Sequence, residues 1–294
     1  MPFRPGRAGS FCYIGFVYAL AVAAAWWTFH AVPGHPLVAM ALGLFAATAV
    51  TYVFTLVAEN GSVFDVWWSV LPPFAALFFS GLSPAAELSA RQLAVHVVVW
   101  CWAVRLTANW ARGWPGLHHE DWRYQDLARS WPLPRWAVYA LGVEGFPTLI
   151  VILGCLPLYP ALALGDASFG VLDGLALFVG LAGVAFELVA DEQLHSFARA
   201  RQPGELLDWG LWRYSRHPNY FGEILFWVSL CLFGLSAASG FWWTGIGALG
   251  MIAMFVFASV PMLDERSAAR RPGFAAYAAR TSALVPWPPR QEAS

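Results

Sequence analysis

The sequence predicts an all-α fold: a polytopic membrane helix bundle of seven or eight transmembrane helices, built as one domain over residues 1–294. Three observations carry this. Hydrophobic residues make up 59% of the chain and charged residues 12%, where a soluble domain has about 25% charged residues. Apolar runs close to the ~20 residues that a spanning helix needs recur along the whole length. The arginines between those runs fall on alternate loops, as they do when one side of a membrane is enriched in positive charge.

The predicted spans are residues 11–32, 37–58, 63–82, 92–111, 136–164, 169–190, 221–235 and 241–261. Arg4 and Arg7 precede the first, and Trp26, Trp27 and Phe29 stand where a cleavage site needs small residues. The run therefore reads as a retained span. Pro33-Gly34-His35-Pro36 makes a tight turn to the second. Pro72-Pro73 predicts a kink or break in the third. The seventh is short, which predicts a tilted or partly re-entrant segment and leaves the count at seven or eight.

Arginine placement sets the orientation. Arg4 and Arg7, then Arg112, Arg123, Arg129 and Arg135, then Arg199, Arg201, Arg213 and Arg216, then Arg266, Arg270, Arg271, Arg280 and Arg290 all fall on loops of one parity. Arg91 alone falls on the other. Both termini are thus expected in the cytoplasm. All 17 basic residues are arginine, which excludes a lysine Schiff base and a P-loop lysine. The net charge of −1 gives no support for nucleic-acid binding. Cys12, Cys101, Cys155 and Cys231 are widely spaced, with no C-x-x-C, so disulfides and cysteine metal sites are not expected.

The chain is organised around residues 210–223, where a basic approach ends in Pro218 and an apolar run follows. Proline at the first helical position predicts a helix starting there, with free amides facing Arg216 and His217. Asn219, Glu223 and Trp227 share one face of that helix, and a carboxylate carried into an apolar segment needs a partner or a task. On the fourth span Trp102, Arg105, Asn109 and Arg112 form one helical stripe. Snorkelling explains Arg112 but not the deeper Arg105. Glu187 and Asp191 lie one turn apart on the sixth span, as acid/base partners, partners of Arg199 or Arg201, or acceptors for a ribose or amide. His118-His119-Glu120-Asp121-Trp122-Arg123-Tyr124 reads as a loop holding a charged cofactor or as a solvated loop; a membrane di-iron centre needs several such clusters, so no metal is expected. Glu59 ends the second span and Asp65 begins the third beside Trp67 and Trp68. His96 and Glu144 read as hydrogen-bonded helix contacts. In the tail, arginines with Tyr277 make a phosphate clamp or a basic patch on lipid headgroups. The G-x-G-x-x-G match at Gly245, Gly247 and Gly250 lies inside an apolar span and is not a dinucleotide fingerprint.

Taken together, residues 210–223 and the tail around Glu265, Tyr277 and Pro286 resemble the C-terminal domain of steroid 5α-reductases. The likeness is strongest over residues 92–294. It is closest to an uncharacterised bacterial branch, domain of unknown function 1295, which shares the patterns seen here as Asp65-x-x-Trp68, Arg105-Leu106 with Asn109, and Glu120-Asp121-Trp122-Arg123-Tyr124. The resemblance implies an NADPH-dependent reductase in the bacterial inner membrane, saturating a C=C bond of a steroid- or lipid-like enone, with no protein partner. It implies cofactor contacts from Arg105, Asn109, Arg112, Asp121, Arg123, Tyr124, Glu187, Asp191, Arg201, Tyr214, Arg216, His217, Asn219, Glu223 and Tyr277. Steroid reductases hold the substrate carbonyl with a Glu and a Tyr on early spans; Glu59 or Asp65 would supply the acid here and Trp102 would stand for the tyrosine. Arg-His-Pro is shared with membrane methyltransferases, so an S-adenosylmethionine-dependent methyltransferase is the alternative. A non-enzymatic lipid-binding or transport protein is the second. Reporter fusions near Ser10 and at Ser294 are expected to place both termini in the cytoplasm; an external C-terminus overturns the arginine reading.

Overall fold

The computed structural model describes residues 5–84, 87–164 and 168–290; Arg4 lies outside them. Among the described residues no strand forms, and a single parallel bridge joins Ser215 to Ser282. Among the described residues, eight helices are long and apolar enough to cross a membrane: Arg7–Ala31, Pro36–Ala58, Gly61–Ser80, Ala90–Gly113, Arg135–Leu164, Val171–Ala200, Pro218–Ala237 and Ser239–Arg270. The protein is therefore a multi-pass membrane bundle. An even count returns the chain to the side on which it began.

Three expectations about these spans are corrected. The seventh has 20 residues, about 30 Å at 1.5 Å per residue, enough to cross. The third does not break at its prolines: Trp67–Ser80 stays helical through Pro72 and Pro73. The buried packing of this span, against the first, fourth and fifth, holds it together where local propensity would not. The eighth does not stop at Pro261 but continues to Arg270. A π-helical turn, Phe255–Ser259, comes just before that proline. Its wider turn makes room for the proline ring and the carbonyl left without a donor, so the helix continues. The same device recurs in the fifth span, where the π turn Tyr139–Gly145 precedes Pro147.

Polar residues inside the bundle are cross-links between spans. Ser80 Oγ and His96 Nε2 are 2.8 Å apart, joining the third and fourth. Thr51 donates to Glu144 Oε2 at 2.9 Å, joining the second and fifth. The sixth and seventh spans pack backbone to backbone at Gly183 and Gly222. A Cβ on Gly222 would sit 2.6 Å from the Gly183 carbonyl oxygen, so no larger residue fits.

Arg91, the exception to the arginine parity, is 2% exposed and pairs bidentately with Asp173, which is fully buried. Its charge is cancelled inside the protein, so it does not act as a loop charge in setting orientation. Removing one member leaves the other as an uncompensated buried ion, at a cost of about 3–5 kcal/mol. Arg91→Met and Asp173→Leu are each expected to lower thermal stability strongly, and the double variant to recover most of the loss. A double variant as unstable as the worse single one would show that the pair is not the cause.

Candidate functional site

The stripe on the fourth span meets the sixth and seventh spans residue by residue. Arg105 Nη1 donates to Asp191 Oδ2 at 2.9 Å, and Nη2 donates to Glu187 Oε2. Glu223 Oε2 lies 3.8 Å from the same guanidinium. Asn109 Oδ1 is 2.7 Å from His195 Nε2, and Arg112 pairs with Glu192. Trp102, fully buried, stacks on Phe226 at 4.2 Å and donates through Nε1 to Glu223 Oε2 at 2.9 Å. Trp227, one turn beyond Glu223, donates to Oε1 at 2.9 Å. Asn219 reaches Asp191 Oδ1 at 3.4 Å. Three carboxylates and one guanidinium thus form a buried hub, and Glu223 spends both oxygens on indoles. The stripe was legible in the sequence; Glu192 and His195 were not singled out, although both lie one turn or less from Asp191.

The organising stretch has the predicted helix start, with His217 as the cap of Pro218–Ala237. Its arginine, however, is not free to meet an anion. Arg216 Nη2 donates to Asp264 Oδ2 at 2.6 Å and Nη1 to the Thr281 carbonyl at 2.6 Å. His217 Nε2 lies 2.9 Å from Asp264 Oδ1. Tyr277 donates to the Trp212 carbonyl at 2.5 Å, and the Trp287 N–H to that of Tyr214 at 3.0 Å. The tail is therefore bound along residues 212–216, and Asp264, missed in the sequence, is its anchor. A carboxylate four residues past Val260, where the eighth span turns polar, was the available signal.

A second group of candidates comes together elsewhere. The segment 60–65 and the loop 117–124 are stitched by hydrogen bonds. Asn60 donates to the Leu117 carbonyl at 2.9 Å, the Gly61 N–H to Glu120 Oε1 at 2.9 Å, and the Asp121 N–H to Ser62 Oγ at 2.9 Å. Gly61 permits this contact, since a Cβ there would lie 2.9 Å from the Tyr124 ring. The result sets Asp65 beside Tyr124 in the wall of one cavity. Asp65 Oδ1 is buried and has no hydrogen-bond partner. Burial, then the charge of Asp65, push the Tyr124 hydroxyl well above its usual range, so it stays a donor. Burial alone would raise Asp121, but the hydrogen bond and charge of Arg123 overcome it and hold this carboxyl low.

Asp65, Arg123 and Tyr124 line a mainly apolar cavity of about 200 Å³, together with Phe64, Trp68 and Tyr220. Gly142, Val143 and Pro147 complete one side, and Phe255 and Ser259 the other. Both sides are the π turns that precede prolines. Tyr220 stacks between His217 at 5.6 Å and Phe255 at 4.5 Å, linking the cavity to the organising stretch. Of the two expected acids, Glu59 lies elsewhere. It is exposed, in a left-handed conformation with φ 50°, at a polar pocket with Asn60, Glu120 and Arg135. Trp102 is likewise away from this cavity, its indole committed to Glu223; Tyr124 occupies the place beside the acid that was expected for it. Arg201 is exposed at the end of the sixth span.

The sequence profile of the family described as "Protein of unknown function (DUF1295)" matches residues 51–281. The chain belongs to that family. The DUF1295 match begins at Thr51 and ends at Thr281, so it takes in the hub, the cavity and the Arg216 anchor, and leaves out the first span. An uncharacterised protein of Schizosaccharomyces pombe is similar, with 28% identity over 255 residues that cover 78% of this chain and 73% of the relative. No solved structure matches.

Glu223→Ala orphans two buried indole donors and loosens the hub, so it is expected to lower stability by about 1–3 kcal/mol. Glu223→Gln keeps one acceptor and is expected to cost less. Thermal melts of both variants in the same detergent check this, and equal melting temperatures for wild type and Ala would remove the hub assignment.

Proposed function

We propose that this chain is an integral membrane reductase that takes NADPH and saturates a C=C bond conjugated to a carbonyl in an apolar, lipid- or steroid-like substrate. The observation that carries the reading is the Asp65–Tyr124 pair in the wall of an apolar cavity. An acid–phenol pair at the edge of a mainly apolar pocket matches what a conjugated carbonyl requires. Apolar walls receive the hydrocarbon, and one strong donor meets the oxygen.

The residues present fit a phosphate-bearing dinucleotide on the arginine-rich side. Arg201 is exposed with no carboxylate bound to it among the described residues, and Arg123 reaches the cavity itself. Arg201, Arg123 and Asn219 are the residues that would hold it; Arg123 would do so while paired with Asp121, and Asn219 while reaching Asp191 of the hub. Arg216 and the rest of the hub serve as the frame behind them. Bound NADPH supplies a hydride for the β-carbon of the enone. The chain does the rest. Tyr124 donates its one O–H to the carbonyl oxygen, and this bond strengthens as negative charge builds there. Burial and the charge of the neighbouring Asp65 keep the phenol in its O–H form. After release, the enol or enolate takes its α-carbon proton from water, which completes the saturated ketone. Phe64, Trp68, Tyr220 and Phe255 keep water from the reacting carbon. The arginine-rich side faces the cytoplasm in this reading, where nucleotides are found.

Purified protein is expected to retain or bind NADPH, with NADH weaker and S-adenosylmethionine absent, when read by native mass spectrometry. Supplied with steroid 4-en-3-ones or long-chain unsaturated ketones, it is expected to oxidise NADPH. Asp65→Asn should keep nucleotide binding and lose about 10²-fold or more in turnover. Bound S-adenosylmethionine in place of nucleotide, or wild-type turnover in Asp65→Asn, overturns the reading.

A further inference from the structure

An open cavity of about 560 Å³ lies beside the site described above. Arg201, Arg266, Arg270 and Arg271 line it, with Trp122 and no carboxylate. The Arg266 guanidinium sits over the Trp122 ring, 3.6 Å from its centroid. Its nearest acid, Asp126, is 3.7 Å away and half exposed, a weak partner. Arg201, Arg270 and Arg271 make no side-chain hydrogen bond or ion pair among the described residues. Burial, then the charges of Arg201 and Arg270, hold the Arg271 guanidinium below its usual range.

Four cations facing one space repel one another, and the half-exposed Asp126 beside Arg266 offsets them only weakly. Arg91 is matched by Asp173, Arg105 by the hub, Arg123 by Asp121, Arg216 by Asp264 and Arg280 by Asp208, whereas no carboxylate lines this cavity. The contrast marks a place where the countercharge comes from outside. Arginine forks match phosphate oxygens bidentately, and cation–π contact with the Trp122 ring holds the Arg266 guanidinium at the cavity wall. Position adds to this. Trp122 directly precedes Arg123 and Tyr124 of the apolar cavity. Leu263 of the arginine pocket is one helical turn beyond Ser259 of that cavity.

We propose that Arg201, Arg266, Arg270 and Arg271, with Trp122, form a binding site for a phosphate-bearing group. The phosphate belongs either to a soluble nucleotide or to a membrane lipid headgroup. The first source rests on the reductase reading; the site itself does not.

The full chain in phosphatidylcholine nanodiscs is titrated calorimetrically with adenosine 2′,5′-bisphosphate. Saturable binding is expected, weakening as salt is added. Arg270→Gln/Arg271→Gln should reduce affinity roughly tenfold or more, while Arg213→Gln, outside this pocket, leaves it unchanged. A parallel arm counts phosphatidylglycerol retained in native mass spectra. Lipid retained by wild type and lost from the double variant, without bisphosphate binding, upholds the site and assigns its phosphate to a headgroup. Melting temperature separates a binding role from a structural one: relieving repulsion should leave the double variant as stable as wild type or more so. Binding of neither probe, or equal binding by wild type and the double variant in both arms, overturns the proposal. Failure of the reductase reading, through wild-type turnover in Asp65→Asn, does not touch this result.

Discussion

The guanidinium of Arg105 is the interaction on which the rest depends. It is buried on the fourth span and bonded to Glu187 and Asp191 on the sixth, with Glu223 of the seventh close by. In a low-dielectric interior none of these ions is tolerable alone, so the three spans are held at one relative depth and rotation. Everything that follows in the chain inherits that placement. Glu223 fixes Trp102 and Trp227, Asn219 reaches Asp191, and the helix that starts at Pro218 is thereby set so that Tyr220 faces the cavity. A bundle of purely apolar helices could slide or turn about its axes at small cost, because lipid and leucine are nearly equivalent neighbours.

Around this frame the polar cross-links divide by depth. Arg91 with Asp173 closes one edge of the bundle. Arg216 and His217 with Asp264 close the other, where the tail folds back on residues 212–216. Between them Glu144 with Thr51, and Ser80 with His96, join neighbouring spans through uncharged hydroxyl groups. The loop 117–124 is the exception. It belongs to no span, yet its backbone and side chains are bonded to the start of the third, and this is what brings Tyr124 to Asp65.

Much of this was legible in the sequence, and the reason lies in periodicity. Apolar runs of spanning length gave the bundle, and the 3.6-residue stripe from Trp102 to Arg112 gave the face that the hub occupies. His96 and Glu144 read correctly as helix contacts because a lone polar group in a bilayer has few other options. What sequence could not supply was pairing across long separations. Whether Arg216 meets a phosphate or Asp264 depends on how the tail returns, and nothing local to either residue encodes that. Trp102 was set against the wrong neighbour for the same reason: its indole and the Tyr124 phenol are both plausible beside an acid until the helices are packed. Pro72-Pro73 and Pro261 misled because proline's local effect was counted without the tertiary packing and π turns that absorb it.

The two π turns have a mechanical consequence. Each is followed by a proline that cannot restore ordinary helical bonding, so the widening of the fifth and eighth spans is built into the covalent chain. The space they border, about 200 Å³, is therefore present whether or not a molecule fills it. Volume of this kind is surrendered when a protein unfolds, which makes compression an adversary of the native bundle. A guest that fills the space removes that weakness, so occupancy of the cavity becomes readable as resistance to hydrostatic pressure, without any chemistry taking place.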